Sequence, residues 1–162
     1  MKCTDCGGSM KVERVVRAYD ADVPDVVVDG LERGTCPKCG SGFEGHPRPL
    51  ELSALILGAL IGKRSRLAPS EVRHLRKSIG LRAQELAETI GVTPTQVSRW
   101  ENGVAPISAL ADRLLRMLVA SFHQVPAPVL RGIDMKRSDP VRLRLELGRK
   151  GWKLAEPIRV AS

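Results

Sequence analysis

Aromatic side chains are scarce in this chain, which has two Trp, one Tyr and two Phe among 162 residues. So few large anchors argue against one large core, and the length suits two small domains better. Long apolar runs are missing too. The longest, "LELSALILGALIG" from Leu50 to Gly62, is interrupted by Glu51 and falls short of the about 20 residues that span a bilayer. No membrane partner is expected. "MKCTDCGG" puts cysteines and glycines where a secretory signal would need an apolar segment, so the reading is cytoplasmic. Cysteine numbers only four, and in a reducing compartment these are thiols or metal ligands before they are disulfides. No internal repeat of solenoid period is visible. The three histidines, His46, His74 and His123, are scattered and receive no role.

Positive charge is plentiful. The formal charge is +8, which favours a polyanionic partner, nucleic acid being the commonest for a soluble chain. The excess is uneven: net −2 over residues 1–45, +3 over 46–66, +2 over 67–122 and +5 over 123–162. The amino-terminal part is therefore not the surface that meets DNA. Proline clusters, "HPRP" at 46–49 and "VPAP" at 125–128, mark seams. Four segments follow: 1–45, 46–66 with the apolar stretch as a helix, 67–122, and a basic extension 123–162.

Cys3 and Cys6 form one Cys-x-x-Cys pair and Cys36 and Cys39 another, with 29 residues between them. Each pair can supply two adjacent vertices of a tetrahedral Zn²⁺ site with sulfur at about 2.3 Å. Each is followed by glycine, Gly7 or Gly40, which lets the backbone fold back as a knuckle. The competing reading is a redox dithiol, but no βαβ unit surrounds either pair. With four sulfur ligands no vertex remains for water, so a single structural Zn²⁺ and no catalytic residue are expected. Between the pairs, "MKVERVV" at 10–16 and "DVVVDG" at 25–30 read as strands around a turn at Pro24 and its aspartates. A β-rich domain this small leans on zinc for its folding free energy.

From Ser70 on, helices recur. Val72, Leu75 and Ile79 give an apolar stripe; Leu86, Ala87 and Ile90 give a second, closed by Gly91. In the third, Thr93 is the N-cap, Pro94 the first helical residue and Gln96 the reciprocal partner of a capping box, with Gly103 past the end. A fourth, Ser108 to Phe122, stacks Leu110, Leu114, Met117 and Leu118 on one face. Small Ala87, Gly91 in the turn and apolar Val97 are spaced as in a helix-turn-helix. Val97 and Trp100 face inward, which leaves Thr95, Gln96, Ser98 and Arg99 on the outer side. Such polar faces are ordinarily just solvated, but Gln pairs with adenine, Arg with guanine, and Thr meets the thymine methyl.

"LRKSIGLRAQELAETIGVTPTQVSRWENG", Leu75 to Gly103, resembles the phage-repressor (Xre) helix-turn-helix. The resemblance implies that Thr95, Gln96 and Arg99 face the major groove and that Asn102 meets a phosphate. The family opens its second helix with Ser or Thr followed by Gln, where this chain has Arg82 and Ala83. That substitution removes a cap worth about 1 kcal/mol and leaves Arg82 to hold a phosphate. With Thr93 and Ser98, these residues complete the candidate DNA-contacting set. Both halves together, "MKCTDCGG" and "CPKCG" followed by "SRLAPSEVRHLRKSIGL", resemble the MqsA-like antitoxins with a YgiT-type zinc finger over residues 1–122.

The resemblance implies a homodimeric repressor on a palindromic double-stranded operator, whose zinc domain binds an RNase toxin. The acidic insert, Asp20, Asp22, Asp25 and Asp29, suits a basic partner. A regulator without a toxin and a zinc-domain interaction adaptor are the alternatives. The expected fold is α+β: a zinc-bound β-rich domain, an all-α helix-turn-helix bundle and, from "VRLRLEL" and "WKLAE", a carboxy-terminal β-hairpin carrying Trp152.

Overall fold

A computed structural model describes residues 1–19, 23 and 25–155. The expected turn at Pro24 and the insert residues Asp20 and Asp22 lie outside the described residues. The fold is mixed α+β; among the described residues there are an amino-terminal sheet region, five helices and two carboxy-terminal strands. The valine-rich segments form β1 (Lys11–Ala18) and β2 (Val26–Thr35), an antiparallel pair, and β3 (Gly42–Gly45) adds antiparallel to the end of β2.

The basic extension returns to this sheet. β4 (Leu143–Gly148) runs parallel to β2, with Val26–Asp29 alongside Leu143–Glu146, and β5 (Gly151–Leu154) folds back on it through a two-residue turn. Arg144 bonds Asp29 at 3.0 Å. Trp152 is buried; its indole Nε1 donates to the Pro47 carbonyl at 2.6 Å and its backbone N–H to Glu51 Oε1 at 3.0 Å. Central β2 contributes Val26, Val28 and Leu31 to the core, joined by Leu145 of β4, whereas edge strand β1 is exposed at seven of its eight residues.

Gly30 is one of the places where this sheet tolerates no side chain. The β1–β2 register slips between Val15 and Val16, opposite Gly30, as in a β-bulge. Its φ is +121°, and a Cβ there would lie 2.5 Å from the Cβ of Leu147. Gly30→Ala is expected to destabilise the sheet by about 1–3 kcal/mol through overpacking and backbone strain. The measurement is the urea midpoint followed by Trp152 fluorescence; an unchanged midpoint would mean that β4 does not approach β2 this closely.

Two compact units are present. Among the described residues, one comprises Met1–Tyr19, Val26–Leu52 and residues 143–155; the other runs from Ser53 to Arg142 and takes in Val23 and Asp25. The apolar stretch is helix α1 (Pro49–Gly62), in which Leu52, Ile56, Leu57, Leu60 and Ile61 are all buried.

The helical unit adds α2 (Pro69–Ser78), α3 (Ala83–Ile90), α4 (Pro94–Glu101) and α5 (Ala109–His123). α2 and α3 each pack against both α4 and α5. Val72, Leu75, Ile79, Leu86, Ala87, Val97 and Trp100 are buried, in keeping with the apolar stripes, while Ile90 is only half-buried.

α5 departs from its apolar pattern. Leu110, Leu114 and Met117 are exposed, and the face turned inward carries Ala111, Leu115 and Val119 together with Asp112 and Arg116. An amphipathic pattern assigns the larger aliphatic stripe to the core. Here a fully buried ion pair takes that side, because Asp112 and Arg116 have backbone partners only there. Arg116 Nε bonds Asp112 Oδ1 at 2.6 Å, and its remaining nitrogens donate to the carbonyls of Ile61, Lys63 and Ser65. Asp112 Oδ2 accepts the Leu67 N–H at 2.8 Å. The guanidinium thereby caps the end of α1, where helix carbonyls lack partners and a cation is favoured.

Candidate nucleic-acid interface and metal centre

The turn between α3 and α4 is built from local interactions. α3 ends on Gly91 in the left-handed conformation, with the Val92 N–H bonded to the Ala87 carbonyl. Thr93 Oγ1 then accepts the Gln96 N–H at 3.2 Å, and Gln96 Oε1 accepts the Thr93 N–H at 2.9 Å. Both halves of the expected capping box are formed, with Pro94 opening α4. At the start of α3, where Arg82 cannot cap, Glu85 supplies the reciprocal half by accepting the Arg82 N–H at 2.7 Å. The Arg82 guanidinium bonds the same carboxylate and holds the Glu85 carboxyl below its ordinary value.

The candidate contact residues differ in how free they are. Thr95, Gln96, Ser98 and Arg99 are all exposed on α4, opposite buried Val97 and Trp100. Among the described residues, no hydrogen bond or ion pair engages the side chain of Thr95 or Arg99. Gln96 is partly committed: its carbonyl oxygen also receives the Thr93 hydroxyl at 3.2 Å. A bidentate grip on adenine would have to draw that oxygen from the cap, whereas its amide donors are available as they stand.

Asn102 is held from three sides. Its amide donates to the Ser98 carbonyl at 2.9 Å and to Ser98 Oγ at 3.2 Å, and its Oδ1 accepts from Arg73 at 2.9 Å. It acts on α4 chiefly by tying down its last turn, and it brings the Arg73 guanidinium to the place where a phosphate contact was expected. Thr93 is exposed but serves the cap.

The residue between Trp100 and Asn102 had no part in the sequence reading. Glu101 is buried and takes Arg76 of α2 in a two-point grip, Nε to Oε1 at 2.6 Å and Nη2 to Oε2 at 2.9 Å. Arg73 adds an ion pair at 3.6 Å. α4 is thus clamped at both ends, by the capping box and by Glu101. Arginines three apart on α2 were the available signal, but nothing local says which carboxylate they reach.

In the sheet unit, the four cysteines come together as two matching loops. The Gly7 N–H bonds the Cys3 carbonyl and the Gly40 N–H the Cys36 carbonyl; the Cys3 N–H bonds the Gly8 carbonyl and the Cys36 N–H the Ser41 carbonyl. Gly7 and Gly40 carry the positive φ that these turns need, +68° and +78°. The sulfurs of Cys3 and Cys39 lie 3.6 Å apart, those of Cys6 and Cys36 3.5 Å, and all four within 4.8 Å of one another. A tetrahedron with metal–sulfur bonds of about 2.3 Å has edges of about 3.8 Å. The cluster can hold a metal ion such as zinc.

Acidity differs around the ring of thiols. Ser41, through its hydroxyl and then its backbone amide, holds Cys39 down to about 6. For Cys6 the Gly8 amide likewise pulls down, but hydrogen bonds shared with Cys39 and Cys36 and burial outweigh it and push the thiol up to about 12. A metal must displace the remaining protons, so its affinity falls as the pH drops.

A helix-turn-helix family model (HTH_3) matches residues 72–117, from α2 into α5. No curated protein matches the chain, and no solved structure does. The family match supports a DNA-binding regulator. Among the described residues, no helix is long and apolar enough to cross a membrane.

Proposed function

We propose that this chain is a zinc-containing transcriptional repressor that binds a palindromic operator as a homodimer and acts as the antitoxin of an RNase toxin, repressing its own operon. The observation that carries the DNA-reading part is α4 itself. It is a short helix fixed at both ends, with Thr95, the Gln96 amide and Arg99 free on its outer face. Rigid backbone and free polar tips are what base-edge readout needs. The four-thiol cluster supports a structural Zn²⁺ on Cys3, Cys6, Cys36 and Cys39.

The toxin part rests on the resemblance to MqsA-like antitoxins. The charge of the insert adds little to it, because Asp25 lies 3.7 Å from Arg142 and Asp29 bonds Arg144. These aspartates already face cations of their own chain.

The test is binding to a duplex selected from a randomised pool. Arg99→Ala is expected to cost about 1–3 kcal/mol, ten-fold or more in affinity, and to relax base preference at one position of each half-site. Gln96→Ala is expected to lose less affinity while also fraying the start of α4. If both variants keep the wild-type base preference, direct readout by α4 is wrong and the adaptor reading takes its place. For the toxin, co-expression with a small RNase encoded beside this chain should give a stable complex that lacks RNase activity.

A further inference from the structure

Five basic side chains of the helical unit have no part in the reading above: Arg64, Arg66, Arg131, Lys136 and Arg137. They come from two segments far apart in sequence that the backbone stitches side by side. Ser65 and Asp134 form a parallel bridge, the Asp134 N–H donates to the Arg64 carbonyl at 2.8 Å, and the Arg66 N–H bonds the carbonyls of Asp134 and Arg137. Arg64 also donates to the Arg131 carbonyl at 3.1 Å.

Carboxylates do not balance this patch. Asp139 pairs with Arg137 at 3.0 Å, and Asp134 accepts the Lys136 N–H, while the neighbouring Lys63 is taken by Glu71. Five cations against two carboxylates leave three positive charges in excess. A charged face is ordinarily only solvated, but two observations set this one apart. Arg66 Nε is buried with no hydrogen-bond acceptor, and among the described residues no carboxylate pairs with its guanidinium. A buried N–H left so is costly unless an acceptor arrives. The 131–137 segment also leads to the loop that leaves the reading helix: Ser138, next to Arg137, donates to the Leu67 carbonyl and shares a cleft with Gly103, Ala105 and Pro106 and with the inward-facing Trp100.

We infer that Arg64, Arg66, Arg131, Lys136 and Arg137 form a second, sequence-independent contact that takes phosphates of the DNA duplex beside the stretch read by α4. The inference rests on the DNA-reading proposal above and gives the extension a share in binding. Phosphate oxygens match the guanidinium forks of this surface, and an arginine-rich surface suits them better than a protein partner of mixed charge.

The experiment measures affinity against salt concentration on the selected duplex and on a random-sequence duplex of equal length. Arg64→Gln/Lys136→Gln removes two exposed cations and the one bond from Arg64 to the Arg131 carbonyl, while Arg66→Gln/Arg137→Gln removes the buried donor. Each is expected to weaken both duplexes by the same factor, to leave base preference intact, and to make the slope of log K against log salt shallower by about 0.9 for every phosphate no longer neutralised. Phosphate ethylation interference should lose positions that Arg99→Ala keeps. If the wild type shows base preference but neither variant changes the slope, the inference fails and the reading of α4 stands. If the variants lose single-stranded RNA binding with the duplex slope unchanged, the inference is likewise overturned. If the wild type shows no base preference on any duplex, both fall together.

Discussion

Stripping the zinc proposed for the four-thiol site with a strong chelator is expected to unfold the sheet unit and leave the helical unit folded. The two tryptophans make this directly readable, since Trp152 is buried in the first and Trp100 in the second. On chelation Trp152 emission should shift to the red while Trp100 keeps its buried spectrum; Trp100→Phe and Trp152→Phe chains assign the signals. The size of the effect follows from how little else holds the sheet. β1 is exposed along nearly its whole length, and the buried apolar residues of the strands are few. Structural zinc binding of about 10–16 kcal/mol then outweighs the rest of the unit's stability. Because β4 is hydrogen-bonded to β2, the carboxy-terminal hairpin should be released with the amino-terminal strands. Protected Trp152 in metal-stripped, reduced protein would show that the sheet stands without metal.

Removing one partner of the buried pair on α5 is expected to have the largest effect of any single substitution in the helical unit. Arg116→Met leaves the Asp112 carboxylate buried without its cation and strips donors from the Ile61, Lys63 and Ser65 carbonyls. Losing one member of such a pair costs about 3–5 kcal/mol, which is comparable to much of the stability of a small domain. Asp112→Asn is expected to cost a comparable amount, because its single oxygen can still accept the Leu67 N–H but its NH2 then faces the Arg116 Nε–H, and the buried guanidinium loses its counter-charge. The double variant Asp112→Ala/Arg116→Met should lose clearly less than the sum of Asp112→Ala and Arg116→Met, since it leaves no unpaired buried charge. Urea unfolding followed through Trp100 measures all of these. Strict additivity would mean that the two side chains do not act as a pair.

Several features were legible in the chain because they depend on neighbours in sequence. The capping box of Thr93 and Gln96, the inward Val97 and Trp100, and the Cys-x-x-Cys loops closed by Gly7 and Gly40 each span only a few residues. The carboxy-terminal hairpin was readable from its alternation for the same reason. The inward face of α5 was not. Hydrophobic periodicity values Leu110, Leu114 and Met117 above Asp112 and Arg116, yet the latter pair is buried because carbonyls more than fifty residues earlier await Arg116.

By itself, then, the sequence determined the local chemistry: four thiols at knuckle spacing, a capped helix with polar tips, and an excess of basic residues. Tertiary structure alone decided which distant groups those features meet. It placed β4 in parallel against β2, took Glu101 to Arg76, brought Asn102 to Arg73, and laid the 131–137 segment along residues 64–66. The physical reason is range. Caps and knuckles are closed by hydrogen bonds within one turn, whereas strand pairing and buried ion pairs are chosen only when the chain has folded and removed the competing water.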